Sequence, residues 1–229
     1  MLAGAAELRD CLAGIPVSAI LHPLEDDEAS TERIAHRKVP ASLDIVEPDP
    51  DWPTYFEIFK SRIESAWNSQ LSGEDEHKVA ILSISHVGST AVPGLPAKAI
   101  IDIDLVLSNV TRPFESYYVT RLEAAGFQFL LREPGWYEHR FFIASDPVAC
   151  NLHVFGPQCA MVARHVIFRD WLKENSSDRD LYARTKRACS QAAKEQGMGM
   201  QEYSRSKDVV VMEILTRAVK SAGLVFESE

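Results

Sequence analysis

The sequence predicts an α/β protein of the α+β type, in which helices flank a mixed β-sheet and a helical portion follows it. Between residues 43 and 155, apolar runs of strand length interleave with helical stripes. Some strands follow each other without a helix between them, and one pair has the form of a hairpin. An all-parallel sheet is therefore excluded, because parallel neighbours need a long crossover connection. After Gly156 the patterns are helical.

The first elements precede residue 110. LDIVEPDP, residues 43 to 50, predicts a short strand that ends in a Pro/Asp turn. Pro53 suits an early helix position, and apolar residues at helical spacing continue to Trp67. VAILSISHVGS, which begins at Val79, and IIDIDLVL, residues 100 to 107, predict two further strands.

The later elements begin with a helix over residues 112 to 125, which Gly126 closes. FQFLL follows as a strand, and RFFIA and VACNLHVF predict a hairpin around a Ser-Asp-Pro turn. The helical portion is expected in three segments, at residues 158 to 174, 178 to 196 and 202 to 221.

Three regions are expected along the chain. Residues 1 to 42 form an N-terminal extension that we expect to be weakly ordered, because its acidic run has no sustained period. Within it, ERIAHRK (residues 32 to 38) is predicted to form a short helix. Residues 43 to 221 form the main domain, and residues 222 to 229 form a tail.

Composition limits the class of protein. The net charge of −9 argues against non-specific binding to nucleic-acid duplexes. Residues 151 to 220 nevertheless hold 12 lysine and arginine residues against 8 acidic ones. This excess suits either contacts with an anionic ligand or the solvated faces of helices. No apolar run is long enough for a membrane span, and the four cysteines lack metal-finger spacing. We therefore expect a cytoplasmic protein with reduced cysteines.

The stretch HVGSTAVPGLPAKAIIDIDLVL, residues 86 to 107, carries the main candidate site. On a strand, Asp102 and Asp104 project from one face. Two close carboxylates repel each other unless a cation neutralises them, and Mg²⁺ is suited to carboxylate and phosphate oxygens. The turn of Gly88, Ser89 and Thr90 offers N–H and hydroxyl groups to a phosphate. The alternative is that the two aspartates are only the polar face of an amphipathic strand.

These residues resemble a known family. A Gly-Ser turn followed by Asp-x-Asp on a strand resembles the signature of the nucleotidyltransferase superfamily, which has the polymerase-beta-like fold. More narrowly, HVGSTAVPGLPAKAIIDID resembles the central motif of the GrpB-like family, an uncharacterised branch of that superfamily. Related domains occur fused to dephospho-CoA kinase. Further resemblances lie in order along residues 43 to 220, at IVEPDPDWPTYFEIFKSRI, RFF, NLHVF and RHVIFRDWL.

The resemblance implies a nucleotidyltransferase-like fold and a metal-dependent nucleotidyl or phosphoryl transferase with a small-molecule or protein acceptor. Gly88 and Ser89 would contact a nucleotide phosphate, and Asp102 and Asp104 would hold Mg²⁺ or Mn²⁺. Active members place a third carboxylate on a later strand.

The sequence departs from this pattern at the third carboxylate. The later strand offers Asn151 and His153, and Asp146 in the hairpin turn is expected to lie too far away. His153 could act as a base or as a nitrogen ligand of a metal. The alternative function is therefore a non-catalytic module that binds a nucleotide or a phosphorylated metabolite in a degenerate transferase site.

Several basic residues are further candidates for phosphate contacts, although each could equally be an exposed charge. His86, by contrast, is expected to be a hydrogen-bonded residue that fixes the turn. The expected partner is a nucleotide or phosphorylated small molecule, with no membrane and no strong nucleic-acid pattern. The basic candidates are Lys98, Arg140, Arg169, Lys186 and Lys207.

Overall fold

A computed structural model describes residues 10–24, 28–38, 42–69 and 78–224. It confirms a mixed α/β architecture. The chain divides into two compact units, a sheet unit formed by Glu25–Pro157 and a helical unit formed by Met1–Leu24 and Gln158–Glu229.

The helices and strands follow one another in a single series along the chain. In chain order they are β1 (Cys11–Leu12), β2 (Ile15–Pro16), α1 (Val17–Leu21), β3 (Glu32–Arg33), α2 (Trp52–Asn68), β4 (Ile81–Val87), β5 (Ile100–Leu107), α3 (Arg112–Ala124), β6 (Gln128–Glu133), β7 (His139–Ala144), β8 (Ala149–Phe155), α4 (Ala160–Glu174), α5 (Ser176–Gln196), α6 (Met200–Arg205) and α7 (Asp208–Ser221).

In the part of the sheet unit that the structure describes, six strands form one sheet in the order β3-β6-β7-β8-β5-β4. Strands β5 and β8 are parallel, and the other neighbours are antiparallel. The strands and helices predicted between α2 and β8 are present at their predicted places.

The N-terminal edge of the sheet unit differs from the sequence prediction in two ways. LDIVEPDP makes only a single bridge, between Val46 and Ala97. Proline lacks the N–H that a ladder needs, so Pro48 and Pro50 prevent a longer strand. ERIAHRK begins with β3, not with a helix, because this segment pairs with edge strand β6. This long-range pairing outweighs local helix propensity.

The hydrophobic core lies on one face of the sheet, under α2 and α3. Ile101, Ile103 and Leu105 of β5 are fully buried there with Phe142 and Leu152. Each such side chain contributes about 1.5 to 3 kcal/mol through burial. Strand alternation places Asp102 and Asp104 on the opposite face, as predicted.

A buried ion network also lies on the core face. Arg140 is fully buried, and its Nε donates to Glu115 of α3 at 3.1 Å. Arg132 of β6 donates to the same carboxylate from Nε at 2.7 Å. Burial tends to raise the pKa of Glu115, but the hydrogen bonds and charges of Arg132 and Arg140 lower it below its ordinary value.

In the helical unit, residues 10–24 pack against the C-terminal helices. Val17 and Leu21 of α1 are fully buried with Leu215 and Val219 of α7. The described part of the predicted N-terminal extension is thus well packed, because α1 supplies apolar surface that α4 and α7 need. Residues 1–9, 25–27 and 39–41 of that extension, and 225–229 of the predicted tail, lie outside the described residues.

The predicted helix over residues 202 to 221 is divided into α6 and α7. The break lies at Ser206 and Lys207, where the Lys207 ammonium donates to the carbonyl oxygens of Tyr203 and Ser204 at 2.8 and 3.1 Å. These carbonyls belong to the last turn of α6, so Lys207 satisfies acceptors that a helix end leaves without partners. Among the described residues, no helix has the length and apolar character needed to cross a membrane.

We expect Glu115→Gln to destabilise the sheet unit by about 2 kcal/mol, because it removes the carboxylate that Arg132 and the buried Arg140 share, while Glu138 still pairs with Arg140. Since the pKa of Glu115 is lowered by folding, its contribution is fully present above the unfolded-state pKa of 4.5 and is lost as the pH falls through the folded value. Urea unfolding across this pH range should therefore show a smaller acid dependence in the variant. Glu123→Gln, at an exposed position of the same helix, is the control. Equal unfolding free energies of the two variants at neutral pH would contradict the prediction.

Candidate functional site

The parallel register of β5 and β8 brings the predicted site residues together. Asp102 lies opposite Asn151, and Asp104 lies opposite His153. Cross-strand partners share a face, so the two aspartates, the asparagine and the histidine form one polar patch. Asp102 is half-buried, and Asp104 is fully buried.

The Gly-Ser turn packs directly against Asp102. Gly88 has φ +68° and ψ −165°, a conformation that is essentially restricted to glycine. A Cβ atom at Gly88 would lie 2.5 Å from Oδ2 of Asp102. A residue larger than glycine at position 88 would therefore disrupt the close contact between the turn and Asp102.

Thr90 and His86 tie this turn to the start of β5. Thr90 is 4% exposed, and its hydroxyl donates to the carbonyl oxygen of Ile100 at 3.2 Å. A hydroxyl has one proton, so it accepts from Nε2 of His86 at 3.0 Å. The imidazole of His86 also stacks on Phe56, with ring centres 4.9 Å apart. His86 thus fixes the turn, as expected from the sequence, and these two hydrogen bonds of Thr90 are structural.

Asn151 lies on the strand where the resemblance implies a third carboxylate. Its Nδ2 donates to Oδ1 of Asp102 at 2.7 Å. Its Oδ1 accepts a hydrogen bond from Nη2 of Arg37 at 2.6 Å. The two bonds fix the orientation of the amide and link Asp102 to an arginine from the segment after β3.

Arg37 is the residue that sequence reasoning missed. No local pattern distinguishes it from Arg33 or Lys38, its basic neighbours in the sequence. Its position depends on the pairing of β3 with β6, which carries the following residues along the sheet edge. The guanidinium carbon lies 5.5 Å from the ring centre of Phe141. Only a long-range contact therefore identifies this cation.

Lys98 is the second cation near Asp102. Burial lowers the pKa of Lys98, the charge of Asp102 raises it, and the charge of Arg37 lowers it. Burial likewise lowers the pKa of Arg37, while Asp102 raises it. Lys98, Arg37 and Asp102 are therefore close enough to act on one another, and for both cations the cost of burial exceeds the stabilisation from the shared carboxylate.

The side chains of this patch do not fit the two-metal arrangement that the resemblance implies. Such an arrangement needs a third carboxylate, and Asn151 has no negative charge to offer. Arg37 and Lys98 already supply positive charge at Asp102. Across the described ranges, no group of three or more histidine, cysteine or acidic residues is placed to hold a metal ion.

A chain of hydrogen bonds leads from His153 towards β6. Nδ1 of His153 lies 3.1 Å from Nε2 of His139, and Nδ1 of His139 lies 2.5 Å from Oε2 of Glu133. His139 is 3% exposed, whereas His153 is half-buried. Burial raises the pKa of the Glu133 carboxyl, and the charge of Arg33 opposes that rise.

Two other predicted residues lie elsewhere in the sheet unit. Arg140 is on the core face in the network of Glu115, so it is not among the residues around Asp102. Asp146, in the exposed turn between β7 and β8, accepts hydrogen bonds from Arg62 of α2 at its backbone oxygen and at Oδ2. It does not join the aspartates of β5.

The remaining basic candidates belong to the helical unit. Arg169 donates to the carboxylate of its neighbour Asp170 at 2.7 Å. Lys186 is 3% exposed, and its ammonium lies 5.3 Å from the ring centre of Tyr182. The ammonium of Lys207 lies 3.7 Å from the ring centre of Tyr203. Tyr182 and Lys186 thus share a face of α5, whereas Tyr203 and Lys207 meet across the break between α6 and α7.

Comparison with known proteins identifies the family of this chain. A family model described as GrpB protein matches residues 42–217. The chain belongs to the GrpB family. A UPF0157 protein of Halalkalibacterium halodurans is 40% identical over 197 residues, which cover 86% of this chain and 93% of that protein. A UPF0157 protein of Pseudomonas aeruginosa is 37% identical over 180 residues, covering 77% and 68% of the two chains.

More distant similarities extend this comparison. A dephospho-CoA kinase of Mycolicibacterium paratuberculosis is 29% identical over 194 residues, covering 72% of this chain but only 42% of that protein. The crystal structure of the conserved protein GrpB from Enterococcus faecalis superposes with a TM-score of 0.61 at 23% identity. It covers 78% of this chain and 99% of that one, and shows a shared fold.

Gly88→Ala should destabilise the protein more than Gly94→Ala. Both glycines have positive φ, so each alanine costs about 1 to 2 kcal/mol of backbone strain. At Gly94 an added Cβ meets no atom within 4 Å, whereas at Gly88 it collides with Asp102. Chemical denaturation of both variants measures the difference. Equal destabilisation would mean that the turn and Asp102 are not in tight contact.

Proposed function

We propose that this GrpB-family protein binds a phosphorylated small molecule, such as a nucleotide or a sugar phosphate, on the polar patch of β5 and β8. Lys98 and Arg37 are the cationic contacts, and the turn of Gly88 and Ser89 lies beside the phosphate. The observation that carries this proposal is the convergence of two partly buried cations on Asp102. Arg37 donates to Asn151 at 2.6 Å, Asn151 donates to Asp102 at 2.7 Å, and the charge of Asp102 also acts on Lys98.

An anion is the kind of ligand that two neighbouring cations suit. Burying a cation away from water is costly unless a counter-charge with hydrogen bonds accompanies it. A phosphate group supplies both, because its oxygens accept several charge-assisted hydrogen bonds. Ser89, the first residue of a 3₁₀ turn over Ser89–Ala91, adds a hydroxyl group directly after Gly88.

Asn151 supports binding over metal-dependent turnover. Its amide occupies one oxygen of Asp102 and holds Arg37 in place. A carboxylate at this position would instead have joined Asp102 as a ligand of a divalent cation. The relative named dephospho-CoA kinase agrees with a phosphorylated ligand only in general terms, because the match covers less than half of it.

The second candidate function is metal-dependent nucleotidyl or phosphoryl transfer to a small molecule or protein. It is favoured by one observation, the position of Asp102 and Asp104 on the same face of β5. In this case the two carboxylates would hold Mg²⁺ or Mn²⁺. The two candidates make opposite predictions for how removal of the negative charge of Asp102 changes ligand binding.

Calorimetric titration with ATP, GTP and inorganic phosphate, in Mg²⁺ and in EDTA, separates the candidates. For a metal-free anion site, binding persists in EDTA, and Asp102→Asn strengthens it because a competing negative charge is removed. A metal site binds its ligand in Mg²⁺ but loses it in EDTA, and Asp102→Asn abolishes binding in Mg²⁺ as well.

The cationic contacts are tested in the same titrations. Lys98→Met and Arg37→Gln should each weaken binding about tenfold or more, the worth of one charge-assisted hydrogen bond. Lys60→Met is the matched control, since Lys60 of α2 pairs with Glu57 on the surface. Wild type that binds no phosphate compound under either condition would refute the proposed function.

A further inference from the structure

The side-chain amide of Asn151 has a defined orientation between two charged partners. Nη2 of Arg37 donates to its Oδ1 at 2.6 Å. A guanidinium group can only donate hydrogen bonds, so the atom that faces it must be the amide oxygen. Nδ2 then points the other way and donates to Oδ1 of Asp102 at 2.7 Å. Arg37 therefore determines which end of the amide meets the aspartate.

Arg37 is itself held in this position by contacts within the sheet unit. Its guanidinium carbon lies 5.5 Å from the ring centre of Phe141, within the range of a cation–π contact. The N–H groups of Ile34 and Ala35 donate to a carbonyl oxygen of β6 at 2.8 and 3.0 Å and attach the segment before it to the sheet. A turned amide of Asn151 would set its N–H groups against the guanidinium and lose both hydrogen bonds.

This orientation places a hydrogen-bond donor where a divalent cation would need a ligand. Mg²⁺ and Mn²⁺ bind oxygen atoms of carboxylates, amides and water, whereas the NH₂ of an amide has only donors to offer. If the amide of Asn151 were turned over, its oxygen would lie next to Oδ1 of Asp102. One or two protein ligands with several waters are enough for Mg²⁺, so the turned amide would complete a cation site.

We infer that Arg37, by fixing the amide of Asn151, excludes divalent cations from Asp102. Asn151 presents the group that a cation would meet, and Arg37 is a positioning residue that acts through it. The charge of Arg37 also repels a cation, so the experiment must separate that charge from the orientation of the amide. The inference rests on the metal-free form of the proposed function, but it does not need a phosphate to bind.

Titration of the full chain with Mn²⁺ alone, followed by the paramagnetic resonance signal of free Mn²⁺, measures cation binding directly. Wild type should bind Mn²⁺ only weakly. Arg37→Met frees the amide to turn and should raise the affinity about tenfold, the size of effect that partners of metal ligands have. Arg37 is half-buried at the sheet edge, so this substitution does not open the hydrophobic core. Broadening of the NMR signal of the Gly88 amide locates the bound ion, because Gly88 packs against Asp102.

Two further variants separate charge from orientation. Lys98→Met is the charge-matched comparison, since Lys98 also acts on Asp102 while the amide of Asn151 binds Arg37 and Asp102. It should raise the affinity for Mn²⁺ less than Arg37→Met does. Asn151→Leu has a similar size but no amide oxygen, so in the Arg37→Met background it should abolish the gain. The pair of single variants and their combination form a double-mutant cycle.

Three results would overturn the inference. One is the absence of any gain in Arg37→Met, and another is wild type whose Gly88 signal broadens at the same Mn²⁺ concentration. The third is a gain that is equal in Lys98→Met or survives Asn151→Leu, because charge alone would then keep the cation away. Wild type that binds no phosphate compound would refute the proposed function, while the Mn²⁺ titrations would still decide whether Arg37 and Asn151 exclude the cation.

Discussion

The parallel pairing of β5 with β8 is the constraint on which the candidate site depends. It sets Asp102 opposite Asn151 and Asp104 opposite His153 in one register. A shift by a single residue would move the polar residues into the hydrophobic core and the core residues to the other face. The apolar side chains of β5, which are fully buried under α2 and α3, prevent that shift. The hydrophobic core therefore fixes the chemistry of the opposite face.

Within that frame, charge determines the character of the site. A nucleotidyltransferase-like fold offers carboxylates to a metal, whereas this chain surrounds its first aspartate with an amide, a lysine and an arginine. The same scaffold therefore places two cations beside this aspartate. The family assignment and the fold are compatible with either chemistry, and the side chains around Asp102 favour the metal-free one.

Sequence patterns predicted the sheet unit well where periodicity is strong and local. β5 alternates apolar and acidic residues, and the bounds of α2 and α3 follow from Pro53, Gly126 and apolar spacing. The pairing of β3 with β6 was not predictable, because two residues carry no period and their partners lie about a hundred positions away. Arg37 was missed for the same reason. The break between α6 and α7 also escaped prediction, since it depends on a side chain that folds back on carbonyls.

The two-residue strand β3 gives the candidate site an unusual dependence on a weak edge. Few backbone hydrogen bonds hold it, among them those from Ile34 and Ala35 to the carbonyl of Leu130. Short edge segments open locally at far lower free energy than a central strand. When this edge opens, Arg37 leaves Asn151 and the site loses one of its cations. Ligand affinity and edge closure are thus thermodynamically linked, and an anion that engages Arg37 would slow amide hydrogen exchange at Ile34 and Ala35.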